Sequence, residues 1–198
     1  GDVIKFKRLS IKDNLVNFDN DLSKAFDQIR MLDSDLYPSA FFGLGDYFFF
    51  LKDAKIKKNE LNANVSIQRK ICIRNVKLSD SEEIWKWRND IQTRSMFKEK
   101  DFVDLKEHNR WFNKKINDKN CYFYIGETQN LRAGVVRIDI KDHRAEVSIN
   151  VNPKFRGISI SQTLLKDSIN NFLSKHPNYN IVANINKKNK ASIKIFTN

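Results

Sequence analysis

Residues 151–161, Val151-Asn152-Pro153-Lys154-Phe155-Arg156-Gly157-Ile158-Ser159-Ile160-Ser161, carry the residue types that hold an anion. The stretch joins a predicted strand to a predicted helix. Pro153 has no amide to give to a ladder, so strand pairing ends there. Amides left free in such a loop, with those of the first helical turn, form a concavity for phosphate oxygens. Arg156 adds a permanent forked cation. A second group lies upstream: Trp85-Lys86-Trp87-Arg88-Asn89-Asp90, then Arg94, and later His108-Asn109-Arg110-Trp111-Phe112. Trp stacks on the face of a sugar or base, Asn bonds hydroxyls, and Arg forks onto phosphate. The other reading of Trp85 and Trp87 makes them core anchors of the helix that carries them.

The elements that must position these residues follow from periodicity. Ile71–Arg74 reads as a short strand. Ser79 and Asp80 cap a helix that runs through Ile84, Trp85 and Trp87 to Asp90, and a second helix covers about 105–116. Three strands follow at 121–126, 133–140 and 145–151. In the last, Ala145, Val147, Ile149 and Val151 share one face, with Glu146, Ser148 and Asn150 on the other. A helix over about 159–174 points Ile160, Leu164, Leu165, Ile169, Phe172 and Leu173 inward. A strand at 181–185 and a helix from Ala191 complete the order β-α-α-β-β-β-α-β-α. Upstream, Leu22, Ala25, Phe26, Ile29 and Leu32 make one face of a helix that Asn20 can cap. Tyr37-Pro38 forms a turn, and the aromatic run Tyr47–Leu51 forms a strand or hairpin.

Composition narrows the class. The 198 residues include 36 Lys+Arg and 24 Asp+Glu, a net charge of +12, with 15 Phe, 6 Gly and 3 Pro. That is too apolar for a disordered chain and too poor in Gly and Pro for a fibrous one. No apolar run approaches a membrane span, and Gly1-Asp2-Val3 lacks the regions of a signal peptide. Cys72 and Cys121 form neither a disulfide scaffold nor a metal-ligand spacing, so a cytoplasmic location and no metal are expected. Residues 1–68 are neutral overall, so the whole excess of +12 falls on 69–198. No run of five basic residues and no basic-aromatic stripe motivates nucleic-acid binding. The polar stretch 57–64 reads as a linker, dividing an accessory segment at 1–64 from a basic domain at 65–198.

The order of elements and the 151–161 loop resemble the GNAT superfamily of acyl-CoA-dependent N-acyltransferases. That signature is a strand, a Pro, then Arg/Gln-x-x-Gly-x-Gly/Ala opening a helix. It is matched by Arg156-x-x-Ser159-x-Ser161, with both glycines replaced by Ser and with Leu164 and Leu165 following. A Ser keeps the amide but adds a Cβ against the pyrophosphate. The family's Asn-x-x-Ser/Ala-x-x-x-Tyr/Phe pattern is matched by Asn189, Ser192 and Phe196. Phe196 has no proton for the departing thiolate, a task that Tyr often serves there. The resemblance implies an α/β (α+β) fold with a mixed, mostly antiparallel sheet flanked by helices. It also implies acetyl-CoA as cofactor, held by Ile149, Val151, Arg156, Gly157, Ile158, Ser159, Ile160, Ser161, Asn189, Ser192 and Phe196. The chain ends at Asn198, ahead of the family's last strands, and so reads as C-terminally truncated.

The Trp- and Arg-rich stretches resemble a GNAT branch that includes enzymes acetylating the 4-amino group of nucleotide-linked 4-amino-4,6-dideoxy sugars, and some ribosomal-protein and antibiotic acetyltransferases. Trp87, Arg88, Asn89, Arg94 and Trp111 are then the substrate-binding residues. Amide formation needs a neutral amine and therefore a base. The resemblance points to Glu146, with His108 as the alternative, while His143 and His176 are expected to be solvated. Residues 26–42, with Phe26, Ile29-Arg30-Met31-Leu32-Asp33 and Tyr37-Pro38-Ser39-Ala40-Phe41-Phe42, resemble the tail of a formyltransferase catalytic domain. Its catalytic Asn, His and Asp motifs are missing here, so these residues are expected to transfer no formyl group. The resulting expectation is an enzyme that transfers acetyl directly to an amino-sugar nucleotide. The competing readings are acetylation of a protein N-terminus or another small amine, and a catalytically degenerate CoA-binding module attached to a formyltransferase. The expected partners are a small-molecule amine and a second copy in a homodimer, with no membrane and no nucleic acid.

Overall fold

Alternating apolar residues at 145, 147 and 149 put one side of a strand into a core, and the computed structural model shows how the sheet around it is built. It describes residues 11–19, 21–34, 38–97, 99–128 and 130–197. The chain divides into two compact units, Gly1–Lys70 and Ile71–Asn198.

In the first unit, α1 (Leu22–Met31) begins at Asp21, whose side chain accepts from the Ser23 amide. The expected cap, Asn20, lies outside the described residues, as does Tyr37. The helix buries Ala25 and Ile29 against a three-stranded antiparallel meander of β1 (Ala40–Leu44), β2 (Tyr47–Lys57) and β3 (Glu60–Arg69). β3 corrects the linker reading of 57–64. Leu61 and Ala63 pack on the small core formed by Val16, Ala25, Ile29, Leu32, Ala40 and Leu51, so the polar stretch is a hairpin turn and half a strand. The units meet at Lys70/Ile71 instead of near residue 65.

The second unit has a five-stranded sheet in the order β4 (Cys72–Asn75), β5 (Cys121–Thr128), β6 (Leu131–Lys141), β7 (Arg144–Val151) and β8 (Asn180–Val182). Every pairing is antiparallel except that of β7 with β8. One face is covered by α2 (Ser81–Asn89) and α4 (Leu105–Ile116). Ile84, Trp87 and Phe112 close there on Val76, Phe123, Ile125 and Val135. The other face takes α5 (Ile160–Leu173), with α6 (Lys190–Thr197) at the end of the chain. α3 (Ile91–Met96), unforeseen in the sequence, buries no residue.

Two glycines seat α5. Gly126 and Gly134 pair across β5 and β6. A Cβ on Gly126 would come within 2.6 Å of Leu164 Cδ1, and one on Gly134 within 3.0 Å of Leu164 Cδ2 and 2.9 Å of the Asn150 carbonyl. The dent they leave lets Leu164, fully buried, lie against the sheet and so sets the height of the loop in front of α5. On the edge of the sheet near α2, Asp80 is fully buried. It accepts both arms of the Arg74 guanidinium, the Arg132 Nε at 2.7 Å and the Lys77 amide. Burial works against its charge, but these donors outweigh that and hold its carboxyl below the usual range.

Candidate functional site

β8 pairs with β7 only through Arg144–Asn180, Ala145–Ile181 and Glu146–Val182. Beyond Glu146 the two strands part, earlier than the strand expected at 181–185. The Asn152 amide turns inward to the Ala133 carbonyl at 2.9 Å. By the two-residue alternation of a strand, the main-chain groups of Ile149 and Val151 point to the opposite edge, where β8 no longer pairs. The result is an open length of backbone along the second half of β7 that ends at the 152–160 loop.

Within that loop, Pro153–Phe155 forms one 3-10 turn, which the Asn152 side chain caps by accepting from the Lys154 amide. Phe155, Ile158 and Ile160 are buried, while Gly157 and Ser159 are exposed. The apolar side chains thus anchor the loop from below. Gly157 has φ +83° and Ser159 φ +59°, ψ 31°, so the chain enters α5 through a left-handed residue. For a Ser this costs on the order of 1–2 kcal/mol. None of the turn and cap hydrogen bonds among the described residues takes the amides of Gly157, Ile158, Ser159, Ile160 or Ser161. The first amides of α5 have no partner inside the helix either. The two Ser at the glycine positions therefore do not tie up these N–H groups in turn or cap hydrogen bonds.

Arg156 behaves differently from expectation. Its Nη2 lies 2.7 Å from Asp90 Oδ1 and also meets Thr93 Oγ1, while Nη1 donates to Gln92 Oε1 at 3.0 Å. The guanidinium is spent on the α2–α3 junction and does not point a free fork into the loop. At the other end of the chain, Asn189 Oδ1 accepts from the Ser192 amide and so caps α6, and Phe196 is half-buried.

Glu146 sits at the last pair before the strands part, exposed, with Oε1 accepting from Asn184 Nδ2 at 2.8 Å. It faces the α2 and α4 side of the sheet, beside Asp139 on β6. Asp139 is clamped by Lys115 Nζ at 2.6 Å and Arg137 Nε at 2.7 Å. Burial opposes its charge, but these cations prevail and keep it below the ordinary range. Arg137 in turn lies over the half-buried Trp111 ring, 5.2 Å from its centroid.

His108 is not brought to this place. It is 2 % exposed, stacked on Phe112, with Nε2 3.0 Å from the Ser81 carbonyl. Burial pushes its pKa down, but a base must also reach its proton, and this one joins α4 to the start of α2. Trp87 is likewise a core residue, 5 % exposed. Trp85 donates its indole N–H to the Val103 carbonyl at 2.7 Å. Asn89 exchanges two hydrogen bonds with the main chain of Val103, so its amide is structural. His143 is exposed as expected, whereas His176 is stacked on Phe172 and packs edge-on to Tyr122.

Arg88 and Arg94 remain. Arg88 Cζ lies over Phe97, 4.1 Å from the ring centroid, and Nη2 donates to the Glu99 carbonyl. Its Nη1 and the Nε of Arg94 are buried and have no hydrogen-bond partner among the described residues. Burial first, and then the neighbouring Arg94 cation, lower the pKa of Arg88.

Comparison with known proteins gives these features a family. An acetyltransferase (GNAT) domain model matches residues 70–198. The chain belongs to the GNAT acetyltransferases. Membership of that family makes residues 70–198 an acetyl-CoA-dependent N-acyltransferase domain. A second model, for the C-terminal domain of methionyl-tRNA formyltransferase, matches residues 11–68. A search of the curated proteins found no match. Among solved structures, the GNAT domain is similar to a spermidine N-acetyltransferase from Vibrio cholerae in complex with CoA and spermine. The identity is 18 %, the TM-score 0.59, and the match covers 65 % of this chain and 78 % of that one. A ribosomal-protein-alanine N-acetyltransferase from Brucella melitensis is similar at 22 % identity and TM-score 0.55, covering 64 % and 81 %. An N-acetyltransferase from Staphylococcus aureus Mu50 is similar at 23 % and 0.52, covering 64 % and 80 %.

Proposed function

We propose that the GNAT domain transfers acetyl from acetyl-CoA directly to the amine of an anionic acceptor, a nucleotide-linked amino sugar. The observation that carries the choice of acceptor is the pair of buried, unpartnered guanidinium nitrogens on Arg88 and Arg94. Two like cations with orphaned N–H groups, offset only in part by the Glu99 carboxylate acting on Arg88, are costly unless a further anion completes them. A diphosphate supplies the right charge and acceptor geometry; a polyamine adds a third cation.

The proposed roles of the other residues follow from placement. Acetyl-CoA supplies an activated thioester carbonyl. The amides of Gly157 to Ser161 receive its pyrophosphate. The outward main-chain groups of Ile149 and Val151 take the amide-bearing arm as an added strand would. Glu146, at the mouth of the gap, accepts the proton that the amine loses as the C–N bond forms and the C–S bond breaks. The departing thiolate takes its proton from water, since Phe196 has none to give. Trp111, roofed by Arg137, offers a ring edge on the same face as Glu146.

A thiol-release assay with equal concentrations of a nucleotide 4-amino-4,6-dideoxy sugar, the free amino sugar, spermidine and an alanyl peptide tests the reading. It expects the nucleotide sugar to give the highest kcat/KM. Greater turnover of spermidine or of the peptide overturns it.

A further inference from the structure

The helix that carries Arg94 has nothing in the core to hold it. α3 is six residues long and buries none of them, and Ile91 at its start is 80 % exposed. An apolar face is what ordinarily fixes a helix in a domain, so α3 must be placed by polar ties at its ends. At its C-terminal end the Asn186 amide makes only a long, 3.5 Å contact with the Met96 carbonyl. At its start, Asp90 caps the helix through the Thr93 amide at 3.0 Å. The same carboxylate oxygen accepts Arg156 Nη2, while the other arm of Arg156 holds Gln92. One guanidinium thus joins the cap and two first-turn side chains of α3 to the loop before α5.

We infer that Arg156 is a positioning residue, a latch fixing α3 and its Arg94 to the loop before α5, and not a ligand of the cofactor's phosphates. The inference rests on the reading of Arg94 as an acceptor-binding residue. A guanidinium with both arms engaged by a carboxylate, an amide oxygen and a hydroxyl has little left for a diphosphate, and Asp90 already balances its charge. The loop needs no help from it, because its amides are open without it.

The latch makes Arg156 and Asp90 a unit. The experiment compares wild type, Arg156→Ala, Arg156→Lys, Asp90→Asn and the double Arg156→Ala/Asp90→Asn for CoA affinity by calorimetry and for acceptor KM and kcat. Backbone hydrogen exchange over residues 90–97 is followed alongside. A latch predicts an acceptor KM about tenfold higher in both Ala and Asn variants, with the double no worse than either single. CoA affinity stays within about threefold, as for a contact outside its binding surface. Arg156→Lys, keeping the charge but not the fork, falls between. Loss of CoA affinity in Arg156→Ala together with an unchanged or tighter CoA complex in Asp90→Asn overturns the proposal, because a phosphate ligand behaves that way. If wild type turns over none of the acceptors, the functional reading fails separately and exchange decides the latch. Faster exchange over 90–97 in both single variants upholds it, and unchanged exchange sinks it.

Discussion

The role proposed for Glu146 depends on where β8 stops, since a carboxylate on a fully paired strand would have no gap to serve. Asn184 steadies one of its oxygens and leaves the other exposed side open to solvent. Glu146→Gln keeps the Asn184 hydrogen bond but removes the basic oxygen. The expected result is a fall in kcat of roughly 10²–10³ with the acetyl-CoA KM unchanged, read in the same thiol-release assay. His108 makes a different prediction, about stability. Its folded pKa is depressed by burial, so the unfolded chain takes up the proton more readily. The stability contribution is complete above the unfolded value of about 6.5 and drains away as pH falls below it. Denaturant melts at pH 7.5 and 5.5 should show this loss in wild type, and His108→Gln, which retains an N–H for the Ser81 carbonyl, should lose less between the two. The sequence could propose Glu146 through the family resemblance, from its place on the strand that leads into the 152–160 loop. It could not separate His108 from a base, because the Ser81 carbonyl that occupies the ring is 27 residues away.

At the scale of elements, β5, β6, β7 and α5 were readable because each repeats an apolar residue at its own period. Even β3 carried the sign, with Leu61, Ala63, Val65 and Ile67 alternating. The intervening Asn, Ser and Gln residues gave it the polarity of a linker, and exposure of much of the strand explains that composition. α3 was unreadable for the opposite reason. A helix that buries nothing leaves no periodic trace, and its cap is shared with an arginine 66 positions later. The glycines under α5 were also silent, since Gly126 and Gly134 show their purpose only once Leu164 is laid over both. Gly126→Ala and Gly134→Ala each overpack that dent and should cost about 1–3 kcal/mol in denaturant unfolding. A Leu164→Ala background opens the space again, so in that background the added Cβ should cost less than it does alone.

For the molecule as a whole, charge separates the two units. Unit Gly1–Lys70 carries +2 and unit Ile71–Asn198 carries +10. A field of that sign speeds the arrival of anions and slows that of cations. With the anionic acceptor proposed here, kcat/KM should fall as salt rises from 0.05 to about 0.5 M, where the screening length shrinks to a few ångström. A polyamine substrate would show the reverse slope, so the sign alone is the readout. Described helices include none long and apolar enough to cross a membrane.

The two-way exchange between Asn89 and Val103, reinforced by Trp85, closes the stretch between them like the clasp of a handle. Its ends stay fastened to α2 whatever happens along its length. A protease that nicked the exposed tip at Glu99 to Asp101 would therefore yield two pieces that still travel together under native conditions and separate only on unfolding.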